Sequence, residues 1–489
     1  MKKLFTIVAA ALMGVTAAVA QPSAIQKMID ENNNNPKAGY FLDVLTGRFG
    51  GRILGSDAFE NAEAWMKREF EKWGVDVRLE EVGELPYGFN RDAWFGRAVG
   101  AEEFGLRDLH FVTPSYTSGT HGCQLGHVVL EPQTEQELQK MKGTLKGAWV
   151  LVSGNSTGFP IGRSHKNDSI RAQVKAENVE IAKRNREGMM AARQNGTAYT
   201  AEPLQEYPAL FYDEMIEAGV LGFIQRAEVP LRALYDRAMI NEKIVTDFDS
   251  LPTTPDIKLD AVQFDVIKKL AQERRRFWLE FDIRNHFKLG PVKYYNFVAE
   301  IKGSEFPDEK VIAMGHLDSF DAGTGAVDCG TGIVPLMEMA RLLALSGAKP
   351  KRTIVFIGSA GEEFGIWGAD GYCKTHADEL DKISVVFNRD FGIEPPVGIA
   401  VPECMYNDLE AVNKPLVDAA TAAWPFTYSK GAAHRKPAGL AGSDYSAFAM
   451  RGVPTLDFTC EDVYGLNFTY SEIWHTERDV LNKQKADYM

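Results

Sequence analysis

Five strand-end or loop segments each carry a potential metal ligand, most of them just after an apolar run. VIAMG (311–315) runs into His316-Leu317-Asp318, and Asp328 follows twelve residues after His316 in a Gly-rich loop. TIVFIG (353–358) leads to Ser359-Ala360-Gly361-Glu362-Glu363, ISVVF (383–387) to Asn388-Arg389-Asp390, and Trp474-His475-Thr476 stands near the C-terminus. Two imidazoles and three carboxylates suit zinc, which takes nitrogen and oxygen donors. Two Zn²⁺ would carry four positive charges; Asp328, Glu363 and Asp390 supply three negative ones and a hydroxide the fourth. A pair of ions that clamps a water and a carbonyl together needs a bridging carboxylate. Glu362 is left over as a general base that takes a proton from water and passes it to a leaving amine. Asp318, two residues beyond His316 on an extended segment, points the same way and is expected to accept the other imidazole N–H. Any one of these segments alone is weak, since lone carboxylates are usually only solvated; their common placement carries the argument.

The elements that must position these groups follow from hydropathy. FVAEI (297–301), VIAMG, TIVFIG and ISVVF are apolar strands separated by helical stretches, one of them from about Thr331 to Leu345. This alternation predicts an α/β fold with a mostly parallel central sheet and helices on both faces, in which the chemistry sits at the carboxyl ends of the strands. Residues 24–75 read as helical, with Ser56 capping a helix whose Phe59, Ala62, Met66, Phe70 and Trp73 share a face and Gly74 closing it. From about 110 to 290 the texture shifts to short strands and turns. Within it, 163–199 carries eight Lys/Arg against four Asp/Glu and reads as a solvated helix or surface insertion.

Composition bounds the rest. The 489 residues are 45% hydrophobic and 25% charged, which is globular rather than disordered. The formal charge of −13 argues against nucleic acid and anionic membrane as main partners, because both demand a positive face. The stretch 323–332 lacks the Lys of a phosphate-binding loop. Lys2 and Lys3 before an apolar run ending Ala18-Val19-Ala20 describe a signal peptide over 1–20, cleaved near Ala20–Gln21, and hence a secreted or periplasmic protein. No later segment is long and apolar enough to span a bilayer. The five cysteines contain no CxxC pair; Cys404–Cys460 is the pairing an oxidising compartment would favour. His121, Cys123 and His127 would make a second metal site only with a fourth ligand that their turn-rich segment lacks.

Taken in order, GHLDSFDAGTGAVDCGTG (315–332), SAGEEFGIWGADGY (359–372), FNRDFG (387–392), GSDYSAFAMRGVPTLDF (442–458) and WHTERD (474–479) resemble the secreted di-zinc aminopeptidase family. The likeness is greatest to its plasma glutamate carboxypeptidase (carboxypeptidase Q-like) branch, which 50–78 also resembles. The resemblance implies that Asp328 bridges two zinc ions, that His316 and Asp390 complete one site and Glu363 and His475 the other, that Glu362 is the catalytic base and that Asp318 orients. It further implies a catalytic domain formed by 21–110 and 293–489, with 111–292 as a protease-associated-like inserted domain. Tyr445 and His434 fall in the segment expected near the substrate pocket, where either could donate to an oxyanion. Cys329 stands where the family often has Asp or another small residue.

The reaction so implied is exopeptidase hydrolysis of peptides or dipeptides. A glutaminyl cyclase-like aminolysis on the same fold is the alternative, although such enzymes generally lack a large inserted domain. A catalytically dead binding module is a third reading, disfavoured because all five ligands and the base are present. Side-chain preference and oligomeric state are not written in the sequence.

Overall fold

A computed structural model describes residues 22–483, except 165–167, 196, 198, 200, 203, 206, 236–247, 252, 391, 393, 421–424, 432–435, 457 and 466–469. The leader at 1–20 lies outside the described residues. After two helices (Pro22–Asn34 and Ala38–Val44), α1 (Asp57–Lys72) begins where the Ser56 side chain accepts the Phe59 N–H, and Gly74 leaves it at φ +75°.

One sheet of eleven strands follows: β1 (Asp76–Val99), β2 (Phe111–Val112), β3 (Gln124–Leu130), β4 (Ala148–Ser156), β5 (Gly222–Ala227), β6 (Asp256–Asp260), β7 (Trp278–Ile301), β8 (Phe306–His316), β9 (Arg352–Ser359), β10 (Ile383–Asn388) and β11 (Thr455–Leu456). Their order is β11-β10-β8-β9-β7-β3-β4-β5-β6-β2, with β1 pairing β7. β9, β8, β10 and β11 are mutually parallel, as are β3 to β6. The mostly parallel α/β sheet is thus as expected. Its continuity is not: β1 and β7 are antiparallel partners of 24 residues each, and the two halves of the sheet are joined through β7. The boundary expected at 292/293 falls inside β7.

Alternation along the central strands divides the interior in two. Val311, Ala313, Ile354 and Phe356 pack with Phe59, Met66 and Phe70 of α1 and with Ile333 and Met337 of α3 (Gly330–Ser346), once α2 (Asp168–Asn195) has been passed. Ile312, Met314, Val355 and Ile357 face the other way, onto Ala369 and Tyr372 of α4 (Trp367–Thr375) and Ala447 and Phe448 of α5 (Tyr445–Ala449). Each such fully buried side chain contributes roughly 1.5–3 kcal/mol, and together they fix which strand ends meet. A separate core lies around β4–β7, with Trp149, Ile224, Ile257 and Phe281 at its centre.

The basic stretch 163–199 is largely the exposed helix α2, whose Arg184 pairs with Glu177 and Glu202 at the surface. Buried Arg171 anchors it, donating to the Glu131 carboxylate and the Pro208 carbonyl. No disulfide joins any of the five cysteines, so the Cys404–Cys460 pairing is not formed. Among the described residues no helix is long and apolar enough to cross a membrane.

Candidate metal centre

The register brings the ligand-bearing loops together. His316, the last residue of β8, lies beside Ser359, the last of β9, and Met314 lies beside Asn388 at the end of β10. The segments after these strands therefore leave the sheet side by side, at its carboxyl edge. Gly332 lets α3 approach: a Cβ there would sit 2.2 Å from the Arg389 carbonyl and 2.3 Å from Cys329 Sγ.

All five expected donors converge. His316 Nε2 is 3.0 Å from Asp390 Oδ1 and 3.1 Å from Asp328 Oδ1. His475 Nε2 is 2.9 Å from Glu363 Oε2 and 3.5 Å from Asp328 Oδ2. Asp328 thus turns one oxygen to each imidazole. His316, Asp328, Glu363 and Asp390 are buried, and Glu363 Oε1 has no hydrogen-bond partner although it is shut off from solvent. An orphaned buried carboxylate oxygen is costly unless a cation meets it. His316, Asp328 and Glu363 offer donor atoms within 4.8 Å of one another, as do His316, Cys329 and Asp390. The donor set therefore fits zinc.

The electrostatics agree. Burial, reinforced by Asp390, holds the Glu362 carboxyl well above the usual range; burial and Asp328 do the same to Glu363. His475 is pushed down to about 4 by burial, a shift that Asp328 opposes and Arg232 reinforces, which leaves its imidazole a neutral donor. The arrangement concentrates negative charge where divalent cations would relieve it.

Asp318 is placed next to the cluster but acts differently from the expectation. His316 Nδ1 lies 2.9 Å from the main-chain carbonyl of Asp318 and 3.7 Å from its carboxylate. A carbonyl can only accept, so Nδ1 carries a proton and Nε2 is the nitrogen turned toward the carboxylates, where a metal would be met. The carboxylate turns across to the next loop, where Oδ1 accepts from Gly361 N (3.0 Å) and Glu362 N (3.2 Å) and Oδ2 from Glu363 N (3.2 Å). It holds the turn that presents Glu362 and Glu363.

Three further residues support the cluster and were not singled out by the sequence reading. Asp479 accepts Val327 N at 2.6 Å and Asp328 N at 3.1 Å, fixing the backbone of the central carboxylate. Burial and Asp328 push its own carboxyl up to about 7. Asp444 accepts the Ser359 hydroxyl, and burial likewise raises it to about 7. Arg52 is fully buried and donates to the carbonyls of Gly50, Leu317, Thr324 and Gly325, so it staples the loop between His316 and Asp328. Each lies within a segment that carries the resemblance: Asp479 closes WHTERD, Asp444 stands in 442–458 and Arg52 in 50–78.

The pocket candidates fare less clearly. Tyr445 opens α5, half-buried, with its hydroxyl over Gly442. It is its neighbour Asp444 that reaches the strand end. His434 lies outside the described residues. Arg389 donates to the Glu394 carbonyl. His121 and Cys123 are exposed, and the His127 ring meets the Thr144 carbonyl 2.7 Å away, so no second cluster forms from them.

Comparison with known proteins bears on what such a site does. Residues 296–489 match Peptidase family M28. Carboxypeptidase Q of Xenopus laevis is 26% identical over 381 residues, covering 74% of this chain and 77% of that protein; carboxypeptidase Q of Pongo abelii is 25% identical over 443 residues, covering 85% and 86%. The crystal structure of a Peptidase M28 precursor from Shewanella amazonensis SB2B, 20% identical, superposes with a TM-score of 0.54 over 95% of this chain and 92% of that one, a likeness of fold.

Proposed function

We propose that this chain, a metallopeptidase that belongs to peptidase family M28 through residues 296–489, is an exported exopeptidase holding two zinc ions and acting on short peptides with a free N-terminus. The observation that carries the reading is Asp328, whose two oxygens face two different histidines. His316 and Asp390 would complete one zinc site with it, and Glu363 and His475 the other. When bound, zinc supplies Lewis acidity, polarising a scissile carbonyl and acidifying a water.

The chain's own groups do the rest. Asp318 fixes the main chain of 361–363, so that Glu363 is held as a ligand while the neighbouring Glu362, less buried, stays free to work as a base. A carboxyl pushed upward is basic enough to take the water's proton and acidic enough to hand it to the leaving amine. The amide C–N bond breaks as the new C–O bond forms, and that proton leaves with the amine. Burial around the strand ends keeps other water away from the reacting groups.

The reading includes two features outside the centre. The basic-apolar start and Ala18-Val19-Ala20 support export after cleavage near Ala20–Gln21. The separate core around Trp149 and Phe281 supports treating 111–292 as an inserted, protease-associated-like domain, grown on the shared strands β1 and β7.

Replacing Glu362 with Gln tests the central role. The variant should keep its zinc and its fold and lose turnover of unblocked dipeptides by at least ~100-fold. Near wild-type rates would remove Glu362 from the reaction.

A further inference from the structure

His475 reaches the centre from near the C-terminus, on a backbone held at φ +58°. A residue other than glycine keeps that left-handed conformation only where its surroundings enforce it. Two side chains anchor the stretch that follows. Asp479 ties it to the loop of Asp328, and the Asp479 carbonyl accepts Thr324 N at 2.7 Å. The other anchor is Glu477, whose partners belong to the strand-rich region and its border.

Glu477 meets that region at two places. Its N–H donates to the Leu231 carbonyl at 2.9 Å and its Oε1 accepts Leu231 N at 3.2 Å, next to the bridge between Arg232 and Thr476. Leu231 is fully buried, packed with Val112, Ala227, Ala233 and Ala322, so this contact has a firm base. Glu477 Oε2 lies 2.7 Å from Nε2 of His110, which stands just ahead of β2. His110 is itself fixed. Its N–H donates to Gln263 Oε1 at 2.7 Å, its carbonyl accepts Asp260 N at 2.9 Å, and its Nδ1 lies 3.2 Å from Asp260 Oδ2. Asp260 in turn caps the helix Ala261–Gln272, its Oδ1 accepting from Val262 N and Gln263 N.

The His110 imidazole therefore stands between two carboxylates, one at each nitrogen. Only the cation can donate to both; a neutral ring has one N–H and turns a lone pair to the other carboxylate. The hydrogen bond to Glu477, and then that to Asp260, raise proton binding at His110 above the ordinary imidazole value, against the opposing effect of partial burial. These are the charged groups that face the ring, Asp260 from the end of β6 and Glu477 from the C-terminal segment; Gln263 and Leu231, which bond to the same pair, are uncharged. A charge-assisted bond is about twice as strong as a neutral one, so the protonated ring grips Glu477 harder than the neutral ring does.

We propose that Glu477 is a positioning residue for His475, gripped by His110 in its charged form, so that the strand-rich region prepares one of the two metal positions. The inference rests on the two-zinc reading and deepens it. The hold is complete below the unfolded imidazole's pKa of about 6.5 and weakens as pH rises through the higher folded value. The Glu363–His475 position feels this change, whereas the His316–Asp390 position, built on the ends of β8 and β10, does not.

Zinc titration of the full chain against a competing chelator, at about pH 5.5 and about pH 9, brackets that range. In a His316→Ala background, which leaves the Glu363–His475 position, Glu477→Gln and His110→Gln should each weaken binding about 3–10-fold at the lower pH and less than about twofold at the higher. The double variant should lose no more than either alone. In a His475→Ala background, which leaves the His316–Asp390 position, the same substitutions should change affinity less than about twofold at either pH, a selectivity that general damage to the fold would not show. Unchanged affinity at the Glu363–His475 position, a loss equal at both pH values, or a loss shared by both positions overturns the positioning role and leaves the two-zinc centre standing. A chain with the native residues at all four positions that takes up no second zinc at either pH overturns both.

Discussion

Asp318→Asn separates two ways in which this carboxylate could serve the centre. If it worked through His316, its loss would weaken the His316–Asp390 pair. The geometry instead has it gripping three consecutive amides of the 361–363 turn, with the imidazole resting on its main-chain carbonyl, which the substitution leaves in place. Asparagine keeps one oxygen, enough for the Gly361 and Glu362 N–H groups at neutral strength, and turns an NH₂ toward the Glu363 N–H. One hydrogen bond to a charged acceptor is lost outright and two are weakened, at about 1.5–3 kcal/mol for such a bond against roughly 1 for a neutral one. The sum is about 2.5–7 kcal/mol, of which the roughly 1.5–3 kcal/mol bond lost at Glu363 corresponds to ~10–100-fold in zinc affinity.

Zinc titration against a competing chelator can assign that loss in two backgrounds. With His316→Ala, leaving Glu363 and His475, adding Asp318→Asn should weaken the remaining ion by about 10–100-fold. With His475→Ala, leaving His316 and Asp390, the same addition should change affinity by less than about threefold. The opposite pattern would refute the turn-holding role and return Asp318 to His316.

Other expectations follow from single contacts. Arg52→Met removes a buried cation from four carbonyls and should lower unfolding free energy by about 2–4 kcal/mol in urea titrations; a loss below about 1 kcal/mol would mean that the 317–325 loop does not depend on it. His376 is raised above its ordinary value chiefly by its hydrogen bond to Glu80. Its stabilisation is therefore full below the unfolded imidazole's pKa of about 6.5 and is lost as pH rises through the higher folded value. Thermal melts of His376→Gln should converge on wild type above that range and fall below it at lower pH, whereas a constant offset across pH would contradict the assignment.

How far the sequence speaks for this molecule depends on how local each signal is. VIAMG, TIVFIG and ISVVF were legible as strands because both of their faces are buried, and the donors were legible because they follow those strands directly. β1 was not recognised as a strand: Asp76–Val99 mixes exposed carboxylates and glycines with apolar residues, and only pairing with β7 makes it one. Asp479 and Arg52 escaped notice because their partners are backbone groups 151–152 and 265–273 residues away, apart from Gly50, and nothing in the local pattern marks such a bond. Asp318 shows a subtler limit. Its nearness to His316 followed from spacing, but which of its oxygens would face the ring depended on the loop brought in by the neighbouring strand.

The two-ion centre is the claim from which the rest descends, and the zinc content of the chain tests it most directly. Metal analysis of protein stripped by chelator, refilled and desalted should find two zinc ions per chain in the wild type, with the second needed for full turnover. In Asp328→Asn, which leaves a single carbonyl oxygen between His316 and His475, at least one ion should be lost along with activity. A wild type that is fully active with one zinc, or an Asp328→Asn variant that retains two, would contradict the account.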